Sequence, residues 1–248
     1  MQKKHVPLLG PRYWIALCIA SVFGANMGDY FAKELGLGHV RGLPILAAML
    51  AAIFLIERRD RYVHQAYYWL AIIVVRTAAT NLADFFAGDM KLGRGWVMLG
   101  LTILLAATMI LAGFLASRRA GTARNETGTG VLAADAYYWA SMLIAGTLGT
   151  VAGDFSSFAS GLGLQNSTIT LCVLLGAWLF FGRGLLRVVP YYWFSIVLVR
   201  AAGTAMGDFL ASRSLGLGLP LSTLSTGLLF VITLILWRPR RELELGTS

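Results

Sequence analysis

The sequence has few charged residues. Only 13% of its 248 residues are Asp, Glu, Lys or Arg, whereas 57% are hydrophobic. Soluble globular domains carry about 25% charged residues. The shortage of charge therefore excludes an ordinary soluble domain of this length, and we predict an all-α integral membrane protein.

Cysteine and histidine are also scarce. The two cysteines, Cys18 and Cys172, lie far apart in apolar stretches, so they give neither a disulfide framework nor a metal motif and are expected to pack in the core. The three histidines lie in predicted loops without the spacing of metal ligands. No nucleophile has a recognisable base partner. The sequence thus predicts neither an enzyme nor a resident cofactor, although it is compatible with a bound divalent cation.

Long apolar stretches dominate the sequence. Eight of them occur, near residues 13–33, 43–56, 66–88, 96–116, 137–159, 168–182, 190–212 and 220–237. A membrane-spanning helix needs roughly 20 apolar residues, so we predict eight transmembrane helices. The second and sixth stretches are short for a full span and must recruit flanking residues or cross a thinned region of the bilayer.

The basic residues give the predicted topology. In an eight-helix threading, fourteen of the 21 Lys and Arg residues fall on the side of the two termini. The opposite side has only Lys33, Arg41, Lys91, Arg94 and Arg213. By the positive-inside rule, both termini are cytoplasmic. The net charge of +9 therefore indicates contact with the lipid bilayer rather than with nucleic acid.

A fourfold repeat organises the sequence. Four Tyr-Trp pairs each precede an aspartate by the same spacing, fifteen residues counted from the tryptophan. The pairs begin at Tyr13, Tyr68, Tyr138 and Tyr192, and the aspartates are Asp29, Asp84, Asp154 and Asp208. Because each unit holds two predicted helices, the four units are parallel repeats, with pseudo-twofold to pseudo-fourfold symmetry about the membrane normal. Two duplicated halves follow, residues 1–120 and 121–248, joined by a polar linker at residues 117–132.

The four aspartates are the candidate functional residues. A carboxylate within or at the end of an apolar stretch is costly and usually functional. We expect these four residues to bind a cation or protons, and to be the ligands if the cation is a metal ion. Residues one helical turn before an aspartate share roughly its face. The polar residues expected to support the site are Thr80, Thr150, Thr204, Asn26 and Asn81.

Two arginines lie within the predicted spans. Arg76 and Arg200 stand eight residues before the second and fourth aspartates. They are expected to be internal counter-charges of the acids, or salt-bridge partners that only hold the helices together. Four carboxylates against two guanidiniums leave an excess of about two negative charges, which protons, monovalent ions or one divalent cation must balance. Oxygen ligands of this kind suit Mg, Ca or Mn.

Small residues stand five and one positions before every aspartate. They are Gly24 and Gly28, Ala79 and Ala83, Gly149 and Gly153, and Gly203 and Gly207. Such pairs let helix backbones approach closely in lipid, so we expect the four odd-numbered helices to pack together, with the even-numbered helices outside. The Tyr-Trp pairs are expected to be aromatic anchors at the cytoplasmic membrane surface.

The repeat unit resembles a known family. Four tandem two-helix units, each with a tryptophan and a Gly-Asp followed by a turn such as Gly36-Leu37-Gly38, are similar to a bacterial family of uncharacterised membrane proteins built from a fourfold repeat of unknown function. The second unit departs from this pattern, with Ala83-Asp84 and with Lys91 in place of the first loop glycine. The resemblance implies a bacterial inner-membrane protein and supplies no activity.

Several functional hypotheses remain open. The first is a secondary transporter or exchanger of a small cation, with a divalent metal ion coupled to protons as the leading case. The second is a cation channel whose acids form a selectivity ring. The third is a membrane scaffold that transports nothing, and the fourth is an anion carrier centred on Arg76 and Arg200. A homo-oligomer is compatible with each of them.

Overall fold

The computed structural model describes residues 7, 9–60, 64–120, 134–182, 184–185, 188–212 and 217–236. Within these residues it has eight α-helices, three short π-helical segments and no β-strand. The α-helices are α1 (Pro11–Asp29), α2 (Gly38–Arg59), α3 (Gln65–Asp84), α4 (Arg94–Ala120), α5 (Ala136–Asp154), α6 (Gly163–Phe181), α7 (Val189–Ala211) and α8 (Gly218–Leu236). The π segments are π1 (Tyr30–Glu34), π2 (Phe85–Asp89) and π3 (Phe155–Ala159).

Most of the helices have the length and composition of membrane-spanning helices. Among the described residues, seven of the eight helices are long and apolar enough to cross a bilayer. The exception is α5, whose sequence is rich in Gly, Thr and Tyr. Since α5 packs against α3, α4 and α7, its composition is that of a helix surrounded by protein.

The largest differences from the predicted helix boundaries are at the starts of α2 and α6. α2 begins at Gly38 and α6 at Gly163, each five residues before the apolar stretch that predicted it. Their first turns carry polar residues, so a search for continuous apolar residues did not include those turns. Both helices therefore reach spanning length by recruiting flanking residues, which was the first of the two alternatives given by the sequence. The linker predicted at residues 117–132 begins later, because α4 continues to Ala120, and its remainder lies outside the described residues.

Left-handed backbone links the two helices of each described turn. Gly36 and Gly38 have φ angles of 65° and 62°, and Gly161 and Gly163 have 78° and 74°. Glycine takes this conformation without the steric cost of a Cβ atom. Lys91, which replaces the first loop glycine of the second unit, keeps the same conformation at φ 52°.

Four helices form a closed inner ring. α1 and α5 each pack against both α3 and α7. The outer helices cover the ring in a cyclic order, since α2 packs against α3, α4 against α5, α6 against α7, and α8 against α1. In the apolar stretch of each helix, at least 50% of the residues are buried inside the protein in α1, α3 and α7. In the four outer helices at most 22% are buried. The outer helices therefore carry most of the exposed apolar surface.

The small residues lie where neighbouring inner helices touch. A Cβ atom added to Gly24 of α1 would lie 2.5 Å from the Cβ of Arg76 on α3. A Cβ atom on Gly149 of α5 would lie equally close to the Cβ of Arg200 on α7. The second glycine of each pair repeats the contact one turn later: Gly28 faces Thr80, Gly153 faces Thr204, and Gly207 faces Asn26.

The other two junctions use the same device. Gly203 of α7 faces Ser21 of α1. Between α3 and α5 the glycine is on the opposite helix, because a Cβ atom added to Gly146 would lie 3.0 Å from the Cβ of Ala79. Ala83, one turn after Ala79, is fully buried. Each junction of the ring thus has a glycine at the place where the two backbones come closest.

A ring of four tyrosines closes the end of the inner helices that is opposite the aspartates. Their hydroxyl oxygens form a cycle of hydrogen bonds, with distances of 3.0 Å (Tyr13–Tyr68), 2.7 Å (Tyr68–Tyr138), 2.9 Å (Tyr138–Tyr192) and 2.7 Å (Tyr192–Tyr13). In a square of that size the opposite oxygens are only about 4 Å apart. We call this cycle the tyrosine quartet.

The prediction of surface anchors was wrong for these residues. All four tyrosines and three of the following tryptophans, Trp14, Trp69 and Trp193, are buried. The Tyr-Trp pairs thus pack inside the bundle, where the phenol groups satisfy one another. One turn further along the helices an apolar layer follows, formed by the buried side chains of Leu17, Ile72, Met142 and Ile196.

Candidate functional site

The four aspartates line one cavity. It has a volume of about 250 Å³ and lies at the end of the inner ring opposite the tyrosine quartet. All four residues one turn before the aspartates also line it, namely Ala25, Thr80, Thr150 and Thr204. By volume the cavity can hold several water molecules, and thus a small cation with part of its hydration shell.

The local backbone places three of the carboxylates at a change of helix type. α1, α3 and α5 end at Asp29, Asp84 and Asp154, and a π segment follows each of them directly. In the fourth unit the α-helix continues past Asp208 to Ala211. π-helical turns are uncommon and frequently occur at functional sites.

The structure adds three basic residues that the sequence analysis did not assign to the site. Lys33, His39 and Arg94 line the cavity together with the aspartates. Lys33 forms an ion pair with Asp29, with Nζ 3.0 Å from Oδ2. One signal was available, because the two residues are four apart on one helix face.

His39 lies between two acids of the second unit. Its Nδ1 is 2.9 Å from Oδ2 of Asp89, and its Nε2 is 3.8 Å from Oδ2 of Asp84. No helical spacing could reveal this contact, since His39 lies in the first turn of α2 whereas Asp84 ends α3. Lys33 and His39 thus hold the two aspartates of the N-terminal half.

The two aspartates of the C-terminal half have no such partners. Within the described residues, Asp154 and Asp208 face the cavity without a hydrogen bond or an ion pair. Thr204 lies one turn before Asp208 and is only 2% exposed, yet its hydroxyl has no hydrogen-bond partner there either. These three side chains leave unused oxygen atoms at the cavity wall.

Arg200 lies beneath the cavity, where it binds two of the threonines that line it. Its buried guanidinium donates from Nε to the Thr150 hydroxyl at 2.8 Å and also binds the Thr80 hydroxyl. It further donates to the main-chain carbonyls of Ser21 at 2.9 Å and Arg76 at 3.2 Å. Arg200 thereby crosses the inner ring and contacts the other three inner helices.

Arg76 has a different environment. One of its terminal nitrogens is 3.2 Å from the Ser21 hydroxyl, whereas its Nε and its second terminal nitrogen have no partner among the described residues. None of the ion pairs of the described chain joins Arg76 or Arg200 to an aspartate. The arginines form a layer between the cavity and the tyrosine quartet instead of direct salt bridges with the acids.

The charge balance of the cavity differs from the predicted one. The sequence suggested an excess of about two negative charges from four carboxylates and two arginines. Around the cavity, the four carboxylates face Lys33, Arg94 and, through the threonine hydroxyls, Arg200. Before His39 is counted, these groups leave an excess of one negative charge.

The two asparagines do not belong to the cavity wall, contrary to the prediction. Asn26 donates to the hydroxyl of Ser222 on α8 at 2.6 Å, and the fully buried Asn81 lies beside Gly42 of α2. Their position, three residues before an aspartate, is about 60° from its direction, on the side opposite the threonines. They therefore face the outer helices.

No preformed metal centre is present in the described part of the chain. It holds no group of three or more His, Cys, Asp or Glu side chains placed to bind a metal ion. Cys18 and Cys172 are unpaired and pack against the apolar core. A second cavity of about 280 Å³ lies at the tyrosine end, lined in part by Tyr68, Glu57 and Trp139.

Comparison with known proteins identifies the repeat. A family model described as "Repeat of Unknown Function (DUF347)" matches residues 12–61 and 191–242, the first and fourth units. These two units carry the repeat. The resemblance to a repeat-containing family of uncharacterised proteins is thereby confirmed. No curated protein and no solved structure matches the chain.

Proposed function

We propose that the protein is a secondary transporter that exchanges a small cation for protons at the carboxylates of Asp29, Asp84, Asp154 and Asp208. The observation that carries this proposal is that one cavity collects all four acids, although 179 residues separate the first from the last. Ionisable groups within a membrane protein are by default functional. Threonine hydroxyls and carboxylates supply the hard oxygen atoms that alkali and alkaline-earth cations prefer.

The proposal includes the topology. We place the four two-helix units in parallel around an axis along the membrane normal, with both termini in the cytoplasm of a bacterium and the bundle in its inner membrane. The tyrosine quartet then lies at the cytoplasmic end, and the aspartate cavity opens to the outside. The cyclic packing of outer helices on inner helices, with α8 returning to α1, supports this arrangement.

The closed axis favours a carrier over a channel. Below the cavity, Arg200 contacts all the other inner helices, and the apolar layer and the tyrosine quartet follow. A fixed guanidinium on the axis is a barrier to cations. A cation bound among the acids must therefore leave by a rearrangement of helices, as in alternating access.

The scaffold alternative has less support. It requires Asp–Arg pairs that specify packing, and none joins Arg76 or Arg200 to an aspartate in the described residues. The glycine contacts account for the packing of the ring without such pairs. The proposal keeps a divalent cation, which the sequence suggested, as one of the possible substrates to be tested.

Uptake into proteoliposomes tests the proposal. Sodium, potassium, magnesium, calcium and manganese are supplied in turn while the lumenal pH is recorded, with wild-type protein, Asp154→Asn and Asp135→Asn. The Asp135 variant is a matched control, because Asp135 lies at the opposite end of the bundle, where it caps the start of α5. We expect saturable uptake with a matching pH change in the wild type and in the control, and its loss in Asp154→Asn. Equal uptake in all three proteins would contradict the proposal.

A further inference from the structure

The bases of the cavity come from one half of the chain. Four residues after the aspartates stand Lys33, Gly88, Phe158 and Ser212. After the second glycine of each turn stand His39, Arg94, Leu164 and Leu219. All three basic residues at these eight positions belong to the first two units. All four units therefore supply an acid to the cavity, but only the two units of the N-terminal half supply a base.

This division sorts the carboxylates into two kinds. Lys33 lies 3.0 Å from Asp29, and the imidazole of His39 lies 3.8 Å from Asp84. Asp154 and Asp208 have no such contact within the described residues, although the charges of Arg94 and Arg200 act on Asp154, and that of Lys33 on Asp208, from beyond ion-pair distance. A cation from solution would have to displace a tethered side chain from either of the first two carboxylates, whereas the other two are available.

The available oxygen atoms lie at one junction of the ring. Asp154 ends α5, Asp208 lies on α7, and these two helices are neighbours. Gly153, next to Asp154, is so close to α7 that an added Cβ atom would lie 3.1 Å from the Cβ of Thr204. A buried hydroxyl without a partner is costly, so the unused Thr204 hydroxyl points to a ligand in the cavity.

The other threonines are already in use. The hydroxyls of Thr80 and Thr150 both accept hydrogen bonds from Arg200. At the equivalent place in the first unit stands Ala25, which has no hydroxyl. Thr204 is thus the one residue of its layer that has an oxygen atom left for a ligand.

We propose that a monovalent cation binds at the α5–α7 junction to the carboxylates of Asp154 and Asp208 and the hydroxyl of Thr204. Asp29 and Asp84 stay bound to Lys33 and His39 and do not touch the cation. One positive charge suits two carboxylates whose negative charge Arg94 and Arg200 already offset in part. This inference rests on the proposed function and assigns its substrate class and its ligands.

Equilibrium binding of radiolabelled sodium to the purified full-length protein tests the inference. We expect Asp154→Asn and Asp208→Asn each to weaken binding roughly tenfold or more, the loss expected for a hydrogen-bonded or charged ligand. Thr204→Val should weaken binding, and Thr204→Ser should restore it because serine keeps the hydroxyl. Asp135→Asn, at the opposite end of the bundle, is the matched control and should leave the affinity unchanged. Asp29→Asn and Asp84→Asn should each weaken binding clearly less than Asp154→Asn does. Size-exclusion profiles identify variants that fail to fold.

The outcomes separate the inference from the proposed function. Equal losses on substitution of the four cavity aspartates, Asp29, Asp84, Asp154 and Asp208, would overturn the asymmetric site and leave a carboxylate carrier intact. Binding of calcium or manganese in place of sodium would overturn the monovalent assignment alone. Wild-type protein that binds sodium with an affinity unchanged by any of the substitutions would overturn the site. Absence of both binding and uptake of every cation would overturn the proposed function together with the inference.

Discussion

Lys91 is held in a conformation that the repeat reserves for glycine. Its φ of 52° corresponds to 65° at Gly36 and 78° at Gly161. A side chain in this region costs roughly 1 kcal/mol because its Cβ atom approaches the following carbonyl oxygen. The second unit therefore carries a local strain that the first and third units avoid.

We expect Lys91→Gly to stabilise the protein by about 0.5–1 kcal/mol, since the strain is relieved while the unfolded chain gains some freedom. Thermal unfolding in detergent measures the change. The reverse substitution, Gly161→Ala, is the matched control and should destabilise the protein by a similar amount. A lower unfolding temperature for Lys91→Gly would show that the lysine side chain makes a contact worth more than the strain.

The residues of the site were partly predictable. The aspartates, with Thr80, Thr150 and Thr204, follow from a repeat register and a helical period, and the structure brings them to one cavity. Lys33 was within reach of the same reasoning, since it lies one turn after Asp29. His39 was not, because its contacts join α2 to the end of α3. Contacts between units, such as that of His39 with Asp84, therefore decide which carboxylates have a basic side chain beside them.

At the scale of elements, the tyrosine quartet is a cooperative unit. Each hydroxyl of a closed cycle can donate one hydrogen bond and accept another, so none is left unsatisfied. Removal of one hydroxyl leaves a neighbour on each side with a missing partner, which costs about 1–3 kcal/mol in a buried site. Removal of all four leaves no buried polar group behind.

We therefore expect strong non-additivity in this ring. Each single Tyr→Phe substitution at positions 13, 68, 138 and 192 should destabilise the protein, and the quadruple variant should lose clearly less than the sum of the four losses. Thermal unfolding of the five variants provides the comparison. Losses that simply add would show that the hydroxyls act independently or bind water.

The closest approaches between inner helices give a second element-scale prediction. Gly24→Ala and Gly149→Ala should each destabilise the protein by about 1–3 kcal/mol, because the new methyl group meets the Cβ of Arg76 or Arg200 at 2.5 Å. Gly100→Ala and Gly176→Ala, in helices α4 and α6, are the controls, since nothing lies within 4 Å of the added atom. Unfolding in detergent should rank the variants in this order. Equal effects at all four sites would contradict the packing described for the ring.

The sequence pattern predicted the number of helices better than the role of the Tyr-Trp pairs. Small residues in a constant register one and five positions before each acid indicated close packing, whereas aromatic pairs at the start of apolar stretches are typical of membrane interfaces. In the structure the tyrosines turn inward, because four phenols at equivalent places can pair with one another. Such a pairing exists only once the ring is closed, so no single helix indicates it.

At the scale of the molecule, the four repeat units form a helical bundle whose two ends differ. One end is sealed by the tyrosine quartet, and the other holds an acid-lined cavity of about 250 Å³. Every outer helix covers the inner helix of the next unit, and the last outer helix covers the first unit. The halves are therefore interlocked at two places, α4 on α5 and α8 on α1.

The central claim is that cations and protons compete for the carboxylates of this cavity. Proton release from the purified protein in weakly buffered solution, recorded while a cation is added, tests it most directly. We predict a saturable release of protons from the wild type and none from the variant with Asn at positions 29, 84, 154 and 208. Cation binding without proton release, or the same release from the fourfold variant, would contradict the account.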